Sequence, residues 1–108
     1  MATYMTQFSY TPEAWAALAK NPEDRGAAVS ALLEKLGGKL LDIYYTTGDY
    51  DGFIIYTAPD GATAATGILA ATVPGHLKAT KTIELFTMDE TIKMVGQAGE
   101  IVYSAPKG

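Results

Sequence analysis

Residues 39–57 have the sequence KLLDIYYTTGDYDGFIIYT, in which two runs of strand-forming residues flank a short turn. The first run covers residues 39–47 and the second covers residues 53–57. Both are rich in aliphatic and aromatic side chains, which pack well on a pleated sheet. Residues 48–52 between them contain only Gly, Asp and Tyr, and Gly and Asp are strong turn formers. This stretch predicts a β-hairpin in the middle of the chain.

One strand and two helices are predicted before this hairpin. Residues 3–10 alternate between two sets of side chains with a period of two, which predicts a strand. Thr11-Pro12-Glu13 supplies a capping side chain, a proline and an early acid, which is typical of a helix start. Residues 29–36 place Val and Leu at i, i+3, i+4 and i+7 before Gly37-Gly38, which predicts a longer second helix.

The sequence after the hairpin predicts a helix, a strand and a further short helix. Asp60 can cap a helix that runs to about Val73, although its glycines and threonines lower the intrinsic helix propensity. Residues 76–86 alternate and predict a long strand. Residues 87–90, Thr-Met-Asp-Glu, form a capping box that opens a short helix through Val95. Ile101-Val102-Tyr103 predicts an extra edge strand.

The order of the main elements is βαββαβ, which is the pattern of the ferredoxin-like α+β fold. This pattern predicts an antiparallel four-stranded sheet with both long helices on one face, plus short extra helices. The chain has 108 residues, about the size of a single domain. We expect one domain over residues 1–99 and a C-terminal tail or edge strand over residues 100–108.

The sheet face without helices is predicted to be rich in tyrosine. Five of the seven tyrosines lie in predicted strands, and the residues expected to contribute to this face include several of Tyr4, Tyr10, Tyr44, Tyr45, Tyr56, Thr80 and Thr82. So much apolar area is costly to leave in water for a protein of this size. A second copy of the chain is therefore the expected cover, which makes the protein a homodimer or a higher homo-oligomer.

Composition and charge exclude several function classes. The chain has no cysteine, so disulfides, thiolate nucleophiles and iron-sulfur clusters are excluded. Twelve acidic residues against eight basic ones give a net charge of −4, which argues against nucleic acid and anionic membranes as partners. Residues 1–6 lack the features of a signal peptide, and no apolar run reaches the length of a membrane span. A cytoplasmic protein is expected.

The turn and the strand ends carry the candidate groups for chemistry. Asp49 and Asp51 can be acids or metal ligands, but two acids in one turn favour the structural role of turn capping, and no metal is expected. His76 is the only histidine and suits proton transfer near neutral pH, although a solvated loop histidine is the more common case. Glu84 and Tyr50 are the other weak candidates for catalysis.

Ligand-binding candidates come from the strands and from the only arginine. Tyr4, Tyr56, Thr80 and Thr82 would supply aromatic walls and hydroxyl groups if the open face lines a cavity. Arg25 lies in the first turn of the second helix, where the helix dipole disfavours a cation. That position suggests a specific partner such as Asp42, Glu84 or a ligand carboxylate, and a merely solvated side chain is the alternative.

Several motifs together resemble the GYD-domain family. They are the first strand Thr3-Tyr4-Met5-Thr6, the entry Gly37-Gly38-Lys39-Leu40, the hairpin with Tyr44-Tyr45-Thr46-Thr47 and Gly48-Asp49-Tyr50-Asp51, the strand end Ala58-Pro59-Asp60, and Thr80-Lys81-Thr82 with Phe86-Thr87. The resemblance extends from about Thr3 to Val95. It implies a dimeric α/β barrel, in which the open faces of two ferredoxin-like sheets enclose a cavity. It implies no established activity and transfers no catalytic residue.

Three function classes remain open at this point. The hypothesis we favour is a small-molecule-binding protein that needs no cofactor and holds its ligand between the sheets of a homodimer. The first alternative is a cofactor-independent oxygenase or isomerase that acts on a small aromatic or carbonyl compound, which is an argument from fold analogy. The second alternative is a structural or interaction protein with a filled barrel. Whether the chain is an enzyme is left undecided by the sequence.

Overall fold

A computed structural model describes residues 1–107 and shows a four-stranded antiparallel sheet with four helices. The strands are β1 (Ala2–Tyr10), β2 (Lys39–Tyr45), β3 (Gly52–Ala58) and β4 (Leu77–Leu85), and the helices are α1 (Pro12–Lys20), α2 (Arg25–Lys35), α3 (Gly61–Thr72) and α4 (Met88–Glu100). The strand order is β2-β3-β1-β4, and every neighbouring pair is antiparallel. This α+β arrangement is consistent with the predicted ferredoxin-like fold.

Each helix begins at a side chain that accepts a backbone N–H. The capping residues are Thr11, Asp24, Asp60 and Thr87. The Thr63 backbone N–H that donates to Asp60 holds the pKa of that carboxyl below its usual range. Thr87 and Glu90 form the predicted reciprocal capping box. The starts of all four helices are thus determined by local chemistry that the sequence displays.

Two glycines make the tight connection from α2 to β2. Gly37 has φ +79°, a left-handed conformation that side chains disfavour and that commonly ends a helix. A Cβ on Gly38 would lie 2.1 Å from the backbone oxygen of Thr57. The chain can therefore turn directly from the helix end onto the edge of β3, which places α2 over the sheet.

The core lies between the sheet and helices α2 and α3. Along β1, the buried residues are Tyr4, Thr6 and Phe8, which alternate with half-buried neighbours. Tyr4 and Tyr56 pair across β1 and β3 with their ring centroids 5.8 Å apart. They pack with Leu33 of α2 and Ala64 of α3. Burial, with Glu84 and Asp60 nearby, raises the pKa of the Tyr4 phenol.

The expected open-face position of Tyr4, Tyr56, Thr80 and Thr82 is wrong. All four lie on the face that the helices cover, because β4 pairs with β1 so that Thr80 lies opposite Phe8, Thr82 opposite Thr6 and Glu84 opposite Tyr4. Three hydroxyls of this face bond to one another, since Thr6 Oγ1 lies 2.8 Å from both Tyr56 Oη and Thr82 Oγ1. Hydroxyls that bond to one another can be buried at little cost. The polar side chains of this set therefore do not identify the side of the sheet that the helices leave open.

The open face of the sheet has a different composition from the one expected. It carries an apolar patch that consists of Met5, Phe53, Ile55 and Ile83, which alternate with the buried set along their strands. Ile83 is 43% exposed. Tyr44 is the one tyrosine of the expected set on this face, and its ring lies 5.6 Å from that of Phe53. The patch remains uncovered by α1, α2 and α3, and the same register places polar residues beside it: Gln7, Asp42 and Lys81.

Helix α4 is longer than predicted and projects away from the rest of the fold. It continues past Val95 to Glu100, and residues 101–107 that follow form no strand, so of the two alternatives for this segment, tail or edge strand, the edge strand is not formed within the described residues. Residue 108 lies outside them. The radius of gyration is 17.5 Å, against about 13 Å for a compact domain of about 100 residues. Within residues 1–107, every helix is too short or too polar to cross a membrane.

Candidate functional site

A cavity of about 270 Å³ separates helices α2 and α3 from the sheet beneath them. The lining residues come from α2 (Arg25, Ala28, Val29, Leu32 and Leu33), from α3 (Ala64, Gly67, Ile68 and Ala71), from the strands (Thr6, Phe8, Tyr10, Ile43, Ile54, Tyr56, Leu77 and Thr80) and from the loop before β4 (Pro74 and His76). Most of these side chains are apolar. The cavity is therefore a space into which an apolar molecule can transfer from water.

A short chain of hydroxyl groups forms the polar part of the cavity floor. Thr6 lies at its centre, between the hydroxyls of Tyr56 and Thr82. Tyr56 is only 2% exposed, so its hydroxyl is held in one place by packing. Hydroxyls can act as donors or acceptors, and either direction of the chain is allowed. Tyr56 and Thr80 of the predicted ligand set thus line a cavity, but on the helix side of the sheet.

A second cavity of about 460 Å³ adjoins the first beneath α1 and the loop that follows it. Three residues line both cavities: Tyr10, Arg25 and His76. Arg25 is half-buried and His76 is exposed, whereas Leu33 and Tyr56 on the inner walls are buried. Tyr10, Arg25 and His76 therefore form the rim where the apolar cavity meets the second one, and we call these three residues the rim.

The rim arginine has a different partner from the ones expected. Arg25 Nη1 donates to Glu23 Oε1 at 3.1 Å, and neither Asp42 nor Glu84 pairs with it. The Arg25 side chain is 39% exposed and that of Glu23 is 58% exposed, so solvent screens the pair and it contributes little to stability. The guanidinium is therefore available for exchange with another carboxylate.

Tyr10 connects the rim to an aromatic cluster. Its hydroxyl lies 3.0 Å from that of Tyr45, and its ring packs edge-on against Trp15 with centroids 5.1 Å apart. Phe8 completes the cluster beside Tyr10 and Tyr45. Burial and the hydrogen bond with Tyr45 raise the pKa of the Tyr10 phenol. Tyr10 therefore stays neutral at any physiological pH and acts at the rim as a hydrogen-bonding and packing group.

Asp51 joins three elements below the rim. Its Oδ2 accepts from Tyr10 N at 2.9 Å and from Trp15 Nε1 at 3.2 Å. Its own N–H donates to Phe8 O, and its carbonyl accepts from Thr46 N. The structural interpretation of this turn is thereby supported for Asp51, because its carboxylate is engaged in fixing β1 and α1. Asp49 next to it is exposed.

The three weak catalytic candidates are not brought together. His76 lies at the rim, at the Tyr10 end of the sheet. Glu84 lies eight residues further along β4, opposite Tyr4, which is roughly 26 Å away for an extended strand. Tyr50 lies in the turn between β2 and β3 and lines neither cavity. Of the three candidates, only His76 lines a cavity.

Sequence reasoning missed two groups of cavity residues. Thr6 was overlooked because its neighbours in the alternating pattern are aromatic, although the pattern places it on the same face as Tyr4 and Phe8. Gly67 and Ala71 of α3 have no functional group, so the sequence does not mark them as cavity residues. Gly67 also allows a close approach of the end of α2, since a Cβ there would lie 2.8 Å from Leu36 Cδ1. The small residues of α3 thus leave the space of the cavity and also allow the end of α2 to pack closely against α3.

Comparison with known protein families gives a match to the GYD domain over residues 4–95. The chain belongs to the GYD-domain family. This confirms the resemblance that the hairpin and strand motifs indicated. A search of curated proteins finds no match to this GYD-domain chain.

Solved structures similar to this GYD-domain protein support the fold alone. TTHA0845 from Thermus thermophilus has a TM-score of 0.51 and 16% sequence identity, over 81% of this chain and 95% of that chain. MtbAldR has a TM-score of 0.51 and 11% identity, over 80% of this chain and 52% of that chain. The GYD-domain chain thus spans about half the length of MtbAldR.

Replacement of Asp51 tests its role in this GYD-domain protein. We expect Asp51→Ala to lower the free energy of unfolding by about 2 to 3 kcal/mol, because it removes two hydrogen bonds to a charged group. The matched control Asp49→Ala should change it by less than about 0.5 kcal/mol, as for an ordinary surface residue. Urea denaturation measures both. Equal effects of the two substitutions would show that Asp51 is an ordinary turn residue.

Proposed function

We propose that the protein binds a small, mostly apolar molecule in the cavity between α2, α3 and the sheet, and that it does so as a homodimer. The observation that carries the binding proposal is the cavity itself, with apolar walls and hydroxyl groups on its floor. Its volume of about 270 Å³ lies just below the usual range of roughly 300 to 1,000 Å³ for ligand sites. The ligand is therefore smaller than a typical drug molecule.

The apolar wall of this space supports an occupant that is itself largely apolar. The cavity opens at the rim, so water can enter it, but most of the wall offers water no hydrogen bonds. A ligand with apolar groups contacts this wall and removes apolar surface from water, which is worth roughly 25 cal/mol per Å² of apolar area buried.

The floor hydroxyls would orient such a ligand. Thr6 and Tyr56 line the cavity and bond to each other, so a polar atom of the ligand can join an existing chain without leaving a buried partner unsatisfied. A few fixed polar groups in an apolar pocket are typical of small-molecule sites. The binding site proposed here belongs to a single chain, whereas the sequence suggested one between two sheets.

Filling the cavity tests the binding proposal. Ala71 lines the cavity, and the adjacent Ala70 is exposed and does not. With 1-octanol as the probe in isothermal titration calorimetry, Ala71→Phe should weaken binding at least about tenfold because the ring occupies the space, a loss of about 1.4 kcal/mol. Ala70→Phe is the matched control and should bind as the unaltered protein does.

The titration tests the proposed site provided that both variants remain folded, which circular dichroism checks. The proposal predicts that Ala71→Phe keeps its thermal stability, since it fills a void rather than creating one. Failure of the unaltered protein to bind 1-octanol, or equal binding by the two variants, would contradict the proposed site.

The homodimer proposal rests on the open face of the sheet and on α4. Met5, Phe53, Ile55 and Ile83 form a continuous apolar surface on that face. Helix α4 carries further exposed apolar side chains on one side, with Ile92 64% exposed. A soluble monomer rarely leaves such surfaces in water, and a second copy of the chain presents the same surfaces for mutual burial.

The area available matches what a stable dimer needs. Four strands spaced about 4.8 Å apart and about 25 Å long give a face of roughly 500 Å². A 13-residue helix is about 20 Å long and about 10 Å wide, so α4 adds roughly 200 Å². The sum is close to the roughly 800 Å² that each partner buries in a standard interface. This area supports the proposal that two chains associate through the open faces of their sheets.

A charge placed on the open face tests the homodimer. Ile55→Glu should dissociate the dimer, because the interface would bury an unpaired carboxylate. The control Leu69→Glu introduces the same charge at an exposed apolar position on α3 and should leave the dimer intact. Sedimentation equilibrium at micromolar concentration measures the mass. A single 11.4 kDa species for the unaltered chain would remove the proposal.

A further inference from the structure

The rim of the cavity collects the only arginine and the only histidine of the chain. Arg25 is the first residue of α2 and His76 precedes β4, so 51 positions separate them in the sequence. The structure places both at the junction of the two cavities. The chain has twelve acidic residues, yet none of them lines the apolar cavity, and no lysine does so either. Within residues 1–107, Arg25 is therefore the one cationic group that faces the apolar cavity, and its present partner Glu23 lines only the second cavity.

We infer that the ligand is an apolar carboxylate, with its hydrocarbon part beneath α2 and α3 and its carboxylate at Arg25 and His76. This inference rests on the proposed function, because it assumes that the apolar cavity is a ligand site. It adds the chemical class of the ligand and the direction in which the ligand lies. The apolar end points toward Tyr56 and the charged end points toward solvent.

The present partner of Arg25 shows what chemistry this position accepts. The Glu23 carboxylate already lies 3.1 Å from Arg25 Nη1, in an exposed pair that holds it weakly. A guanidinium has five N–H donors in a planar fork that matches a carboxylate. A ligand carboxylate can replace Glu23, or bind beside it, and can take a further hydrogen bond from the His76 imidazole.

The location of Arg25 strengthens this interpretation. The first turn of a helix carries unpaired N–H groups and a partial positive charge, which disfavour a cation and favour an anion. The Asp24 cap and the Glu23 carboxylate offset this cost for Arg25 in the structure, and a ligand carboxylate that replaces Glu23 would offset it in the same way. The hydrophobic walls contribute the remaining affinity, at about 0.8 kcal/mol for each buried methylene group.

The test compares two probes of equal chain length, octanoate and 1-octanol, by isothermal titration calorimetry at pH 7. The unaltered protein should bind octanoate at least about tenfold more tightly than 1-octanol, because a hydrogen bond to a charged group contributes more than a neutral one. Arg25→Ala should abolish this preference and leave the affinity for 1-octanol unchanged. Arg25→Gln retains most of the side chain and is the second variant if Arg25→Ala does not fold.

Lys35→Ala is the matched control. It removes one positive charge from the opposite end of the same helix, where Lys35 is exposed and lines neither cavity. The preference for octanoate should persist in this variant. Loss of the preference in Lys35→Ala to the same extent as in Arg25→Ala would show a general charge effect and would overturn the inference.

The remaining outcomes separate this inference from the proposed function. Equal binding of octanoate and 1-octanol by the unaltered protein would overturn the carboxylate and leave the cavity site in place. A preference that persists in both Arg25 variants would also overturn the assignment of the carboxylate to the rim. Binding of neither probe would contradict the proposed function, and this inference with it.

Discussion

The fold depends on the alternation of side chains along β1, one of the two central strands of the sheet. β1 lies between β3 and β4, so its register fixes which residues of both neighbours share a face. Tyr4, Thr6 and Phe8 lie beneath the helices, and Met5 lies on the open face. A shift of one residue would exchange the two sets completely. The cavity and the open face are therefore two consequences of a single constraint.

On the helix side of the sheet, hydroxyl groups that bond to one another lie beneath an unfilled space. Hydroxyls from three strands bond to one another through Thr6, which makes a polar floor compatible with burial. Above this floor, the small side chains of α3 leave room that larger residues would occupy. The strand and helix sequences thus produce a space with apolar walls and hydrogen-bonded hydroxyls at its base, and the rim with Arg25 lies at its solvent end.

The strands and the helix starts could be predicted from the sequence, but the sheet face on which each strand side chain lies could not. The capping residues Thr11, Asp60 and Thr87 mark helix starts because the chemistry is local. The face of Tyr56 and Thr82 could not be predicted, because a period of two defines two faces without saying which one the helices cover. For Arg25, the unfavourable position in the helix predicted a specific partner. Only the structure identified Glu23 as that partner and the cavity rim as the location.

The central claim is that one strand register creates both a ligand cavity within each chain and an apolar face between chains. Native mass spectrometry of freshly isolated protein at micromolar concentration tests both halves in a single spectrum. The account predicts a species of twice the 11.4 kDa chain mass that carries up to one additional small molecule for each chain. A bare 11.4 kDa monomer without any added mass would contradict it.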